Sequence, residues 1–187
     1  MSKLLSKVIA TTVIGLMFLS GGVAAATTDT SNSNSTIADE SAAVFAKNSV
    51  NSKELQCLAR NIYYESSDEP RQGKIAVGMV TLNRADHPDY PDTVCDVVKQ
   101  QTRVGGRTIC QFSWWCTKSR KPIRDGDENW FQSLSVAQYL LDGGYDRYKS
   151  SYGSLLHFHA SRINPGWHNL KRMLRIGDHV FYANRSQ

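Results

Sequence analysis

Residues 58–84 read LARNIYYESSDEPRQGKIAVGMVTLNR, and the reading of this stretch decides the fold. Leu55, Leu58, Ala59 and Ile62 recur at i, i+3, i+4 and i+7, the apolar stripe of an amphipathic helix. Glu65 follows Leu58 by about two turns, so its carboxyl leaves the helix end from nearly the face that enters the core. A carboxylate drawn toward apolar surroundings loses hydration, its pKa rises, and it can hold a proton near neutral pH for use as a general acid. The plainer alternative is a helix-end Glu that reaches solvent. Downstream, Ser67 and Asp68 are candidate N-caps of a second helix, Glu69 suits the positive end of its dipole, and Pro70 fits its first turn. Ile75, Ala76, Met79, Val80 and Leu82 supply the buried side of that helix, and His87-Pro88 with Tyr90-Pro91 ends it.

Beyond it, Thr93 or Asp92 can cap a short helix carrying Val94, Val97 and Val98, with Asp96 completing a capping box. Residues 99–108 have no period and read as a surface loop near a groove. Gln111, Phe112, Ser113 and Trp114 combine flat apolar faces with neutral hydrogen-bonding groups, which is what a sugar site requires. Of the adjacent Trp114 and Trp115, one is expected in the core and one at a surface. The basic, turn-rich 118–127 reads as a solvated loop or a patch for an anionic partner, and Trp130, Leu134, Ala137, Leu140 and Leu141 mark a packing helix closed by Gly143-Gly144. LLHFHA, 155–160, alternates so that His157 and His159 share one face of a strand, suited to lining a cleft. Zinc would need a third ligand such as His168 or His179, and no HExxH spacing is present, so no metal or other cofactor is expected. Asn164-Pro165-Gly166-Trp167 is a turn that presents Trp167 to a ligand, and RIGDHVFY, 175–182, is a hairpin turning at Gly177-Asp178.

The 187 residues suffice for one or two domains. Lys3 and Lys7 precede an uncharged stretch, Val8 to Thr28, that contains the small residues Ala24-Ala25-Ala26, the pattern of a signal peptide ending near residue 26. An uncleaved membrane anchor is the competing reading. Residues 27–52 are rich in Ser, Thr, Asn and Asp and read as a polar linker, leaving 53–184 as the folded domain. Of 22 Lys and Arg residues two lie in the signal, against 17 acidic residues, so the remainder carries about +3. That excess is too small to suggest nucleic acid and fits an anionic polymer as well as many other partners. Four cysteines, Cys57, Cys95, Cys110 and Cys116, all follow the signal, and an even count in an exported chain predicts two disulfides with three connectivities open. The pairing with the best rationale closes the aromatic loop through Cys110–Cys116 and ties the first helix to the third through Cys57–Cys95.

The runs IYYES, DEP, AVGMVTLNR, YPDTVCDVV, CQFSWWC, LLHFHASRINPGW and RIGDHVFY, in this order over about residues 54–184, resemble the SleB-type cell-wall hydrolases, a group of peptidoglycan-cleaving domains. Where that family usually reads E-A-R-G-E, this chain has Glu65-Ser66-Ser67-Asp68-Glu69, keeping both acids but offering Ser67 in place of a guanidinium. The resemblance implies an α+β, mainly helical, lysozyme-like or lytic-transglycosylase-like domain with a small antiparallel sheet. It implies export to the periplasm, cell wall or extracellular space, and cleavage of glycan strands between N-acetylmuramic acid and N-acetylglucosamine. Glu65 would be the general acid, Glu69 and Asp68 the nearest candidate second acids, and Tyr182 would end near the cleft. Because the family includes lytic transglycosylases, a single-acid mechanism is expected. A zinc-dependent amidase or peptidase using His157 and His159, and a wall-binding module without catalysis, are the alternatives. Membrane contact is expected only through an uncleaved N-terminal segment.

Overall fold

The computed structural model describes residues 51–185. The expected signal peptide and nearly all of the expected linker lie outside the described residues. Helix α1 occupies residues 51–66, so positions 51 and 52, read as linker from composition, are already helical. Then come α2 (Arg71–Ala85), α3 (Val94–Lys99), β1 (Gln101–Val104), β2 (Arg107–Cys110), the single turn α4 (Ser113–Cys116) and α5 (Glu128–Tyr139). A π-helical segment, Leu140–Gly144, leads into α6 (Tyr145–Tyr152), followed by β3 (His157–Ala160), β4 (Leu170–Ile176) and β5 (His179–Asn184). The architecture is α+β and mainly helical. It carries two small antiparallel sheets where one was expected: the β1–β2 hairpin and a three-stranded sheet ordered β3-β5-β4.

Helix α2 is the centre because it is apolar on more than one side. Ile75 and Met79 join Leu58, Ala59 and Ile62 of α1, Val94, Val97 and Val98 of α3, Phe112 and Trp114, and Val136, Ala137 and Leu140 in the larger core. Ala76, Val77 and Val80 face the other way and pack with Leu155 and Phe181 of the sheet layer in a second core. Leu82, expected to be fully inside, is only half-buried. The last turn of α2 also holds the chain entering β3: Asn83 Nδ2 donates to the carbonyls of Tyr152 and Leu155 at 2.7 and 2.8 Å, and Arg84 Nε to that of Leu156 at 2.8 Å. These bonds satisfy carbonyls that would otherwise be buried without partners.

Several local expectations are corrected. Ser67 and Asp68 do not cap α2, whose N-cap is the extended Pro70 without a side-chain hydrogen bond. The serine hydroxyls instead bond back into α1, Ser66 to the Ile62 carbonyl at 2.6 Å and Ser67 to that of Tyr63. The stretch read as loop at 99–108 is largely hairpin, turning through Gly105 and Gly106 at φ 57° and 78°, the left-handed pair that favours a two-residue hairpin turn. Gly143, at φ 97°, kinks the fifth helix, and α6 resumes directly after it. The capping of α3 follows expectation, with Thr93 Oγ1 accepting from the Asp96 amide at 3.1 Å, and Glu54 adds a second cap by accepting from the Val94 amide at 2.7 Å.

Both disulfides form, Cys57–Cys95 and Cys110–Cys116. The first spans 38 residues and the second 6. From loop-closure entropy, removing the long bridge (Cys57→Ala with Cys95→Ala) should cost about 4 kcal/mol and removing the short one about 2. Urea unfolding of the two double variants at pH 6 checks the order; a larger loss from the short bridge would contradict it.

Candidate active site

A cleft of about 880 Å³ runs between the C-terminal end of α1, the α1–α2 corner, α4 with the loop that follows it, and strand β3 with the β4–β5 turn. Glu65 stands on its wall. A smaller cavity of about 230 Å³ adjoins on the far side of Glu65, lined by Arg84, Gln111, Phe112, His157 and Trp167 among others. Glu65, Ser113 and Phe158 belong to both linings, so the Glu65 carboxyl sits where the two spaces meet.

Glu65 is partly open to the cleft yet closely surrounded by protein. Burial lifts its pKa from an ordinary 4.5 to about 7, against the pull of the Arg84 charge, which favours the carboxylate. Arg84 itself is 3% exposed. Its guanidinium lies over the Tyr90 and Phe112 rings at 5.4 and 5.2 Å, and with the Gln111 amide oxygen turned toward it, both terminal nitrogens donate there at 3.1 Å. The charge next to Glu65 is therefore fixed in place by aromatic rings and a neutral amide.

Glu69 does not serve as a helix-end charge. Its side chain is 9% exposed and reaches the β4–β5 turn, accepting from the Asp178 amide through Oε1 and Oε2 at 3.1 and 3.2 Å and lying 3.3 Å from His179 Nδ1. Burial lowers the His179 pKa, so at neutral pH the imidazole beside Glu69 is uncharged. Gly177 turns at φ 52° directly over this carboxylate, where any side chain would collide with Glu69. Glu69 lines the cleft while serving as the anchor of the hairpin.

The residues expected to hold sugar divide. Ser113 is exposed on both spaces, and Gln111 lines the smaller one. Phe112, at 2% exposure, and Trp114, at 7%, pack into the core, yet Trp114 still lines the main cleft and Phe112 the smaller cavity, each with little of its ring open. Trp114 donates through Nε1 to Asn61 at 2.8 Å and stacks on Tyr64 at 4.6 Å, while Trp115 is the half-buried partner. Tyr63 and Tyr64, which periodicity did not single out, line the cleft as well. The Tyr63 hydroxyl donates to Asp127 at 2.6 Å; that bond, with burial, pushes its pKa up to about 12.

His157 and His159 do share a face. His157 lines the smaller cavity, bonded through Nε2 to Asn184 at 3.0 Å, and burial lowers its pKa. His159 lines the main cleft with both nitrogens engaged, Nδ1 with the Ala160 carbonyl at 2.9 Å and Nε2 with the Tyr182 hydroxyl at 3.0 Å. Tyr182 lies next to the cleft through His159, on which it stacks, without itself being part of either lining. Trp167, 37% exposed, meets His157, His159 and Tyr182 edge-on with centroids 5.4–5.9 Å away. Phe158 and Arg84 are further residues of the site that motif reading passed over, and His179, weighed there only as a metal ligand, lines the cleft beside Glu69. Their signal was burial, which depends on partners distant in sequence.

The Cell Wall Hydrolase family model matches residues 68–182, a segment that begins just after Glu65. The chain is similar to the spore cortex-lytic enzyme of Oceanobacillus iheyensis, 24% identical over 129 residues, covering 68% of this chain and 41% of that protein. It is likewise similar to the spore cortex-lytic enzyme of Halalkalibacterium halodurans, 26% identical over 131 residues, 68% of this chain and 34% of that protein. The chain thus spans about two fifths or less of the length of these relatives. The crystal structure of the catalytic domain of the Bacillus cereus SleB protein superposes with a TM-score of 0.48 at 20% identity, covering 69% of this chain and 88% of that one.

The electrostatics of Glu65 can be tested through stability. Between pH 4.5 and 7 the folded state keeps a proton on Glu65 that the unfolded chain has released, so stability must fall as pH rises through this window. Glu65→Gln removes that dependence. Relative to wild type, the variant should gain up to about 3 kcal/mol between pH 5 and pH 7.5 in urea unfolding. Parallel pH curves would mean the carboxyl is not desolvated.

Proposed function

This chain belongs to the cell wall hydrolase family, and we infer that its cleft cuts the glycan strands of peptidoglycan between N-acetylmuramic acid and N-acetylglucosamine, with Glu65 as the general acid. The observation that carries this reading is the position of Glu65: a carboxyl desolvated to a pKa of about 7, on the wall of an ~880 Å³ cleft, with a fixed cation behind it. A glycosidic bond breaks when its bridging oxygen takes a proton as positive charge builds on the departing sugar ring. Glu65 holds that proton near neutral pH and reaches the cleft to deliver it.

After transfer Glu65 is a carboxylate, and Arg84 favours that form. It can then withdraw a proton from the oxygen that attacks the sugar. In a lytic transglycosylase that oxygen is the 6-hydroxyl of the muramic acid residue, and a 1,6-anhydro end results. In a hydrolase it is water, commonly oriented by a second carboxylate. The cleft's other buried acid, Glu69, is committed to the Asp178 amide and stands against His179. Asp68 also lines the cleft but is an exposed side chain at its corner, and with Glu69 so engaged we favour the single-acid, transglycosylase route. Trp167, Ser113, Tyr63 and Tyr64 supply the faces and hydroxyls along which sugar rings would lie. Such a substrate places the working domain outside the cytoplasm.

Glu65→Gln should lower cleavage of purified peptidoglycan by about 10²–10⁴-fold while the protein still sediments with the wall. Wild-type activity should decline as pH rises through 7, where Glu65 loses its proton. Mass spectrometry of the fragments should find 1,6-anhydro ends, and EDTA should leave the rate unchanged. Glu69→Gln is the matched control. If it is as inactive as Glu65→Gln, a two-carboxylate hydrolase is the better reading, and full activity in Glu65→Gln would remove the assignment.

A further inference from the structure

Against the cleft, under the α4–α5 loop, lies a second concavity of about 460 Å³ lined by Arg60, Tyr64, Lys118, Arg120, Pro122 and Ile123. Tyr64 and Arg120 line the main cleft as well, so the two spaces share a wall. Half of the lining side chains are cations and none is an acid. Among the described residues no carboxylate stands within ion-pairing distance of Arg60, Lys118 or Arg120. Like charges gathered in a concavity repel one another and focus a positive potential that only a bound anion relieves.

The loop that carries Lys118 and Arg120 is tied at several points. The Cys110–Cys116 bridge holds its entrance, the Tyr64 hydroxyl donates to the Lys121 carbonyl at 3.0 Å, and Asp127 at its exit caps α5 while accepting from Tyr63 at 2.6 Å. Two of these ties come from the tyrosines of the cleft wall, so the cations are placed relative to Glu65 through α1. Pro122, Ile123 and the Tyr64 ring add apolar surface beside them.

On the reading of the cleft as a glycan-cleaving site, the occupant follows from chemistry. The acetamido sugars of a peptidoglycan strand are themselves uncharged. The negative charge sits on the peptide stem, whose carboxylates hang from the lactyl ether of each muramic acid residue. A concavity joined to the cleft through Tyr64 and Arg120 is suited to a branch of a sugar already bound in the cleft. We propose that Arg60, Lys118 and Arg120 form an anion subsite for the carboxylates of the peptide stem, which makes peptide-bearing strands the preferred substrate over strands stripped of peptide.

The test uses the full chain and the variant Arg60→Gln with Lys118→Gln, both exposed positions outside the main cleft lining. Two ligands are titrated calorimetrically: N-acetylglucosaminyl-N-acetylmuramic acid carrying a tetrapeptide, and the same disaccharide with its lactyl carboxyl amidated and no peptide. Neither contains the bond to be cut, so binding is read independently of cleavage. Wild type should bind the peptide-bearing form about tenfold more tightly, with the ratio shrinking as sodium chloride rises from ~0.05 to ~0.5 M. The double variant should bring the ratio within about twofold, and the charge-conserving pair Arg60→Lys with Lys118→Arg should keep it. Equal binding by wild type, or a ratio unchanged in the double variant, overturns the subsite. So does charge-dependent binding of poly(glycerol phosphate) with no preference between the disaccharides, which would assign the cations to a phosphate polymer. Preference without any strand cleavage would sink the proposed reaction and leave the subsite standing, whereas cleavage without preference would do the reverse.

Discussion

The register of α1 against α2 is the constraint on which the site depends, and it is set by a hydrogen-bonded chain inside the core. Asn61 is wholly buried; its Nδ2 donates to Thr81 of α2 at 2.9 Å and its Oδ1 accepts from Trp114 of α4 at 2.8 Å. A slip or rotation of α1 would leave these groups unpaired away from water, at a cost of about 1–3 kcal/mol each. Glu65 is one helical turn beyond Asn61 and so emerges on the same side, where α4 and β3 leave the cleft open. At Gly78 the helices come so close that a Cβ would fall within 2.5 Å of Leu140 and 3.1 Å of Ile62. The polar tie and the close approach together fix Glu65 to a rigid element, the placement that the proposed general-acid role would require.

The corner after Glu65 is held by a second buried device. Lys74, 2% exposed, reaches back from α2 and donates to the carbonyls of Ser67 and Glu69 at 2.7 and 2.8 Å. These are backbone acceptors left over where α1 ends without a glycine cap. Burial lowers the Lys74 pKa, while Asp68 and Glu69 support its charge. With the backbone of Glu69 so fixed, its side chain becomes a peg for the β4–β5 turn, and the sheet layer is located relative to Glu65 through only a few bonds. His159 then inherits its position from the sheet, braced by Tyr182 and edged by Trp167.

What was legible in the sequence follows from how local each signal is. The α1 stripe, the Thr93 cap and the Gly177-Asp178 turn each depend on residues within one or two turns, and all three appear where the pattern places them. Glu69 was legible as a residue but not in its structural role. A Glu one residue before a first-turn proline has the credentials of a helix-end charge; that it reaches a turn 109 residues away is a tertiary fact. Trp114 lines the cleft with only a small part of its ring exposed, because its indole N–H is drawn inward to Asn61, a partner that composition cannot reveal. The β1–β2 hairpin was missed for a different reason. Its strands are exposed on both faces, so no period-two burial exists to be read, and only the Gly105-Gly106 pair carried the information. Tyr63 and Tyr64 were visible all along in the run before Glu65. Adjacent tyrosines at a helix end point in different directions, and both line the cleft because α1 ends there and the α4–α5 loop closes over them.

On the proposed reading, single-acid chemistry would make opposite demands on the Glu65 carboxyl, and its surroundings suit both. A donor must be protonated when substrate arrives, which burial ensures by raising the pKa to about 7. The same group must then be basic enough to recover a proton, yet not so unstable as a carboxylate that it never lets its own proton go. A buried guanidinium that the helix register holds nearby moderates the desolvation without neutralising it by direct pairing. Were Arg84 in bidentate contact with Glu65, the acid would be ionised at neutral pH and useless as a donor. Its terminal nitrogens are turned instead to the neutral Gln111 and its charge is spread over Tyr90 and Phe112. Gln111 and Phe112 lie within the aromatic segment that the short disulfide closes, so on the proposed reading that segment would hold the cation beside the acid as well as line the cleft.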